Sequence, residues 1–383
     1  MCSSEAQKRL AQCERPRIVV EDGGLARLGE LCLELSVSRA LLVSDPGLRA
    51  AGHTARADES LRAAGINTAI FLDVSPNPNQ AQAQACAQAA TDAGAELLVA
   101  LGGGSALDTA KGAAFLVAGG GRMEDYWGRA KGRGEFLPIV AVPTTAGTGS
   151  ETQSFALITR QSDRRKMACG DERALPTTVL LDAQLTASAP RQVTAYAGLD
   201  CLTHAVESAV TTVRTEQSLE LSYLAFRLVS SSFSSVLQGE DPGARRNMLL
   251  AASLSGLAIE HSMLGAAHAL ANPLTASAGL DHGRAVATVL PHVIRHNAEV
   301  DSCAESYACL CKAAGIEGGA PGLASRIEAW LDEAQVPLGL GAAGVLESDL
   351  ESLAEAAAQE WTAGFNPRPV DAPSLRSILL SAL

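Results

Sequence analysis

Two residues four positions apart, Asp200 and His204, lie in a run of helical period at 198–212. Spacing of that kind puts both side chains on one helix face, where a carboxylate oxygen and an imidazole nitrogen can bind one cation. His268 in GAAHALAN and His282 in GLDHGRA can complete a set of four N/O donors. No thiolate is needed, and such a set suits a first-row divalent ion such as Fe2+ or Zn2+, which would act as a Lewis acid on a bound oxygen. A lone histidine is more often a hydrogen-bonded interior residue than a ligand. Here seven histidines occur, at 53, 204, 261, 268, 282, 292 and 296, and the crowding of five of them into 261–296 favours the ligand reading. Spacing alone does not bring His268 and His282 to His204.

The first half carries a different chemistry. The apolar run 98–101 leads into Gly102-Gly103-Gly104-Ser105, followed by a helix-like segment containing Asp108 and Lys111. A strand, a glycine turn and a helix start form a phosphate cradle, because glycine lets the backbone approach and the free N–H groups attract negative charge. The spacing is not G-x-G-x-x-G, so by itself the turn is equally compatible with a plain structural role. A second loop, PTTAGTGSE at 143–151, also follows an apolar strand and offers Thr144, Thr145 and Thr148 as donors with little steric bulk. Loops at the carboxyl ends of strands in α/β sheets are the usual ligand sites. Asp45 ends another apolar run, where its carboxylate could accept from an adenosine ribose and repel a 2′-phosphate, favouring NAD over NADP. Equally, it could cap the helix begun by Pro46.

These residues need particular elements to carry them. Apolar runs at 39–45, 68–74, 95–105, 137–145, 155–160 and 177–182 read as strands, and segments 79–92 and 107–117 between them as helices. Strands alternating with helices predict βαβ units and a parallel sheet. After Pro190 the pattern becomes helical, at 198–212, 216–237, 245–262, 293–314 and 321–333, with no strand. The expected fold is therefore an α/β, Rossmann-like nucleotide-binding domain over 1–188 followed by an all-α metal-binding and substrate domain over 189–383.

Length and composition agree with two such cores. The chain has 383 residues, 47% hydrophobic but only 4% aromatic, so Ala, Val and Leu supply the interior. Thirty Lys and Arg against 42 Asp and Glu leave a net charge of −12, which argues against nucleic acid as a partner. The N-terminal stretch lacks an apolar signal core and no run reaches the ~18 apolar residues of a membrane span, so a soluble, cytoplasmic protein is expected. Nine scattered cysteines fit buried thiols in a reducing compartment, and the one close pair, Cys309 and Cys311, lacks evident co-ligands.

Taken together, the motifs resemble the iron-containing alcohol dehydrogenases, within the wider dehydroquinate synthase-like fold. The similarity rests on GGGSALDTAKGAA (102–114), GGGRMEDYWG (119–128), PTTAGTGSE (143–151), AGLDCLTHAVES (197–208), HGRAVATVLPHVIRHN (282–297) and NPRPV (366–370). The resemblance implies NAD(H) as cofactor, with Asp45 in its recognition. Gly103, Gly104, Ser105 and Asp108 would lie at the pyrophosphate turn, Thr144, Thr145 and Thr148 on the nicotinamide side, and Lys166 would be a basic neighbour. It implies one divalent ion, Fe2+ before Zn2+, on Asp200, His204, His268 and His282, hydride exchange between a small alcohol and its aldehyde or ketone, and a homodimer. Many relatives carry a further histidine, a proposed proton relay, where this chain has Asn272, and an amide exchanges no proton at neutral pH. Related branches that resemble the chain less well are metal-independent reductases of the maleylacetate reductase kind and lyases of the dehydroquinate synthase kind.

Overall fold

The computed structural model describes residues 2–239 and 241–383. Gln7–Ala189 forms one compact unit, and Pro190–Leu383 together with residues 2–6 forms a second.

In the first unit the strands are β1 (Arg17–Val20), β2 (Arg39–Val43), β3 (Asn67–Phe71), β4 (Leu97–Gly102), β5 (Gly128–Arg129), β6 (Ile139–Pro143), β7 (Phe155–Thr159), β8 (Lys166–Gly170) and β9 (Thr178–Leu181). Six of them make a parallel sheet in the order β1-β9-β6-β4-β2-β3. Helices α1 (Cys2–Ala11), α2 (Leu28–Leu33), α3 (Pro46–Ala50), α4 (His53–Ala63), α5 (Gln80–Asp92) and α6 (Gly104–Gly119) precede or alternate with its strands. The uninterrupted apolar stretches of β4 (LLVALG) and β6 (IVAVP) follow from burial on both faces. On one face Leu42, Val99, Leu101, Val140 and Val142 meet Leu28, Leu31 and Leu61 of α2 and α4, while α6 packs on β4 and β6.

Strand order sets where a ligand can sit. From β2 the chain steps to β3 at one edge and then returns past β2 to β4, so the winding reverses between β2 and β4. Ligands of open α/β sheets bind beyond the carboxyl ends of the strands at such a reversal. Asp45 follows β2, the Gly103 turn follows β4, and Thr144 follows β6, whose Pro143 lies opposite Gly102.

The run at 155–160 forms a strand outside this sheet. As β7 it pairs antiparallel with β8, and β5 pairs with the other side of β8, giving a separate three-stranded sheet. Strands β1, β5 and β8 are additions to the sequence reading: RIVV, the two-residue β5 and KMACG are too short or too mixed to stand out by periodicity.

The second unit is built from α7 (Arg191–Ser208), α8 (Glu216–Gln238), α9 (Pro242–Glu260), α10 (Ala266–Ala278), α11 (His282–Asn297), α12 (Asp301–Ala314), α13 (Gly319–Glu333), α14 (Leu350–Ala358) and α15 (Ala372–Ser381). Helix α7 packs against α8, α9 and α11, and from Gly198 to Ser208 every residue is buried, as expected of a central helix. The segment 293–314, read as one helix, is two. The first ends at Asn297, whose side chain is tied to Asn366, and Val300 is extended before the second begins. No helix among the described residues is long and apolar enough to cross a membrane, and all nine cysteines are free thiols.

Helix α11 approaches α7 closely at Gly283, where a Cβ would run into the Tyr196 carbonyl. A Gly283→Ala substitution must therefore push the start of α11, with His282, away from α7. It is expected to cost about 1–3 kcal/mol in urea unfolding, the usual range for overpacking. Unchanged stability would show that the two helices slide apart freely.

Candidate metal and cofactor sites

Three helices of the second unit bring the expected ligands together. Asp200 and His204 sit one turn apart on α7, His268 is in the first turn of α10, and His282 begins α11. Their Nε2 atoms surround one oxygen, Asp200 Oδ1, at 3.4 Å for His204, 3.6 Å for His268 and 3.8 Å for His282. Donor atoms of Asp200, His204 and His268 all lie within 4.8 Å of one another. A tetrahedral ion with bonds of about 2.0–2.2 Å has ligand-to-ligand edges of about 3.3–3.6 Å, close to the spacing found. Asp200, His204 and His268 are each no more than 5% exposed; His282 is partly open.

Two atoms of this cluster are otherwise unexplained. Asp200 Oδ1 and His268 Nε2 are buried and accept or donate no hydrogen bond among the described residues. Such groups are costly unless a ligand satisfies them, so the donor set fits a cation. Burial alone would raise the Asp200 carboxyl, but the neighbouring His204, His268 and His282 hold it well below the usual carboxylate range. Burial alone would likewise lower the His268 imidazole, yet Asp200 and Glu207 outweigh it and raise it to about 9. The pocket thus selects positive charge, either a proton or a metal ion.

Glu207, absent from the sequence reading, underlies α10. One carboxylate oxygen accepts from the Ala267 N–H at 2.7 Å and the other lies 2.6 Å from His268 Nδ1. Asn366 Oδ1 accepts from the Ala266 N–H at 3.1 Å, so both side chains cap α10 from a distance. Gly265 is the helix N-cap because a Cβ there would stand 2.9 Å from Asn366 Oδ1 and 3.0 Å from Glu207 Oε1. The NPRPV motif thereby gains a role. Asn366 also exchanges two hydrogen bonds with Asn297 and donates to the Arg368 carbonyl. The signal for Glu207 was present: three residues after His204 and seven after Asp200, it continues the same face of α7.

Asn272 lies one turn beyond His268 on α10, and its Nδ2 donates to the buried Glu360 at 2.8 Å. A carboxylate only accepts, so this contact fixes which way the amide faces. Cys309 is exposed and Cys311 donates to the Gly319 carbonyl; neither joins a metal-binding group among the described residues.

In the first unit the two expected loops interlock. A Cβ on Gly103 would meet Thr145 at 3.1 Å, and one on Gly104 would meet Thr148 at 2.7 Å. The Thr144 N–H donates to the Gly102 carbonyl, joining the loops at their base. Helix α6 starts at Gly104 with no side-chain cap, and Ser105 is partly exposed in its first turn, so backbone donors there remain for an anion. Asp45 is the N-cap of α3, its Oδ1 accepting from the Leu48 N–H at 3.0 Å. A Cβ added at Gly102 would lie 3.7 Å from its second oxygen, which places Asp45 beside the glycine turn as well.

Asp108 is buried, and its Oδ1 accepts from the Ser150 hydroxyl at 2.7 Å, so it braces the second loop. Burial raises its carboxyl above the usual range against the pull of Lys111, Ser150 and Lys166. Lys111 is fully buried, and its ammonium reaches Ser150 O (2.5 Å), Ser150 Oγ (2.9 Å), Gln153 O (2.7 Å) and Phe155 O (3.0 Å). Together Asp108 and Lys111 strap the threonine loop to α6. Lys166 opens β8, within electrostatic reach of Asp108.

Comparison with known proteins agrees with this architecture. The family model for iron-containing alcohol dehydrogenase matches residues 15–183, and that for the C-terminal domain of the same family matches 194–383. The chain is 30% identical to the NAD-dependent methanol dehydrogenase of Bacillus methanolicus, over 96% of this chain and 98% of that one. It is also 30% identical to the lactaldehyde reductase of Escherichia coli K12, covering 90% and 92% of the two chains. A solved 1,3-propanediol oxidoreductase superimposes with a TM-score of 0.92 at 30% identity, covering 96% of this chain and 97% of that one. The chain belongs to the iron-containing alcohol dehydrogenase family, whose chemistry uses NAD and a divalent metal on small alcohol or aldehyde substrates.

The Lys111 strap can be tested directly. Lys111→Met leaves several buried oxygens without a donor, at about 1–3 kcal/mol for each one not rescued by water. It is expected to lower the melting temperature and raise KM for NAD+ by roughly tenfold or more, equivalent to about 1.4 kcal/mol. Metal content should stay at the wild-type level. An unaltered KM for NAD+ would show that the threonine loop holds its shape without the lysine.

Proposed function

We propose that the chain interconverts a small alcohol and its aldehyde or ketone with NAD(H), using one divalent ion held by Asp200, His204, His268 and His282. The observation that carries this reading is the convergence of three imidazole Nε2 atoms on one buried carboxylate oxygen that has no hydrogen bond among the described residues. Three nitrogen donors and one oxygen donor suit Fe2+, the ion named by the family, with Zn2+ next. When bound, the ion supplies Lewis-acid polarisation of an alcohol or carbonyl oxygen.

The protein's own groups do the rest. Asp200 contributes the negative charge that makes the histidine cluster a cation site, and Glu207 and Asn366 hold the backbone that presents His268. For the cofactor, the α6 N-terminus with Gly103, Gly104 and Ser105 offers backbone donors to the pyrophosphate. Thr144, Thr145 and Thr148 line the nicotinamide side, Lys166 is a nearby cation, and Asp45 favours the unphosphorylated ribose of NAD. Asn272, held by Glu360, orients substrate or water and transfers no proton itself. The alcohol proton therefore leaves through solvent or the cofactor ribose. The reading includes a homodimer, on the family resemblance, and a cytoplasmic location, on the nine free cysteines that suit a reducing compartment.

Asp200→Asn keeps the shape of the ligand and removes its charge. The variant should lose its metal and fall about a thousandfold or more in kcat, since the Lewis acid supplies several kcal/mol. NAD+ binding, followed by fluorescence titration, should be retained. A variant that turns over normally without metal would contradict the assignment.

A further inference from the structure

We infer that Glu207 is a positioning residue that sets the tautomer of His268 and thereby its capacity to bind metal, an inference that rests on the metal reading above. The carboxylate is 2% exposed, and both of its oxygens are engaged by α10, one by the Ala267 backbone N–H and one by His268 Nδ1. A carboxylate can only accept, so His268 Nδ1 must carry the proton. The lone pair of the neutral ring is then on Nε2, the atom that lies 3.6 Å from Asp200 Oδ1 and has no other partner among the described residues. Partners of this kind fix the orientation and raise the basicity of metal-bound imidazoles.

The double engagement sets a stricter requirement than a single hydrogen bond would. The Ala267 N–H is a fixed donor, and the ring must also donate if Nε2 is to be free. Both contacts therefore demand an acceptor. Glutamate meets that demand with two oxygens, whereas glutamine, of nearly the same shape, has one oxygen and one NH2. With glutamine, either the NH2 faces the backbone N–H, two donors in conflict, or it faces His268 and drives the proton onto Nε2. Glu207 also adds a second buried negative charge to that of Asp200, and the two together match a divalent ion. Glycine at 265 lets the start of α10 lie close to this carboxylate, since a Cβ there would stand 3.0 Å from Glu207 Oε1 and 2.9 Å from Asn366 Oδ1.

The test is Glu207→Gln, with metal affinity measured by chelator competition for Zn2+ and for Co2+, whose visible absorption reports the ligand geometry. An affinity loss of roughly 10- to 100-fold is expected, the usual range for such partners, with an altered Co2+ spectrum and a metal-free melting temperature near that of wild type. A merely structural role would instead lower the melting temperature and leave the affinity of the folded fraction alone. Wild-type affinity in a folded Glu207→Gln protein overturns the inference. Should that variant not fold, Glu207→Asp, which keeps the charge but withdraws it from the ring, is expected to lose affinity in the same sense. Undiminished affinity there would equally overturn it. Failure of the wild-type protein to bind Zn2+ or Co2+ at all would instead refute the metal reading.

Discussion

A buried carboxylate oxygen with three imidazole nitrogens around it and no hydrogen bond among the described residues is the constraint on which the helical unit turns. Isolated buried charge is expensive, and the arrangement persists only if it is compensated. Much of the unit can be read as the support that compensation requires. The fully buried middle of α7 carries Asp200, His204 and Glu207, the close approach at Gly283 brings in His282, and the remote caps Glu207 and Asn366 fix the first turn of α10.

The α/β unit solves a different problem with similar economy of residues. Its glycine turn and threonine loop leave adjacent parallel strands side by side, and a threonine of the other loop occupies the space that a side chain at Gly103 or Gly104 would need. A buried lysine and aspartate then tie the loop to the helix whose N-terminus is left uncapped. Rigid loops held this way leave the uncapped backbone N–H groups of α6 available to an anion.

The parts legible in the sequence were those with local signals. Asp200 and His204 announced themselves through i, i+4 spacing, and β2, β4 and β6 through apolar runs ended by glycine, aspartate or threonine. His268 and His282 were legible as residue types but not as neighbours, because their meeting depends on how α10 and α11 pack. Helix α10 itself escaped notice, since Gly265 precedes it and Pro273 interrupts its pattern. Glu207 was overlooked because a glutamate on a helix ordinarily reads as solvated. Asp108 is the opposite case: its place in the phosphate motif signals a ligand role, and its bracing contact with Ser150 becomes visible only in the packed structure.

We propose that turnover depends on one divalent ion in the Asp200 cluster. The most direct measurement is elemental analysis of wild-type protein alongside NADH formation from a short primary alcohol, before chelation, after chelation and after return of Fe2+ or Zn2+. About one ion per chain is expected, with activity lost with the ion and restored by about one equivalent. Full turnover by the metal-free protein would contradict the proposal and would leave the three histidines and Asp200 as substrate-binding groups.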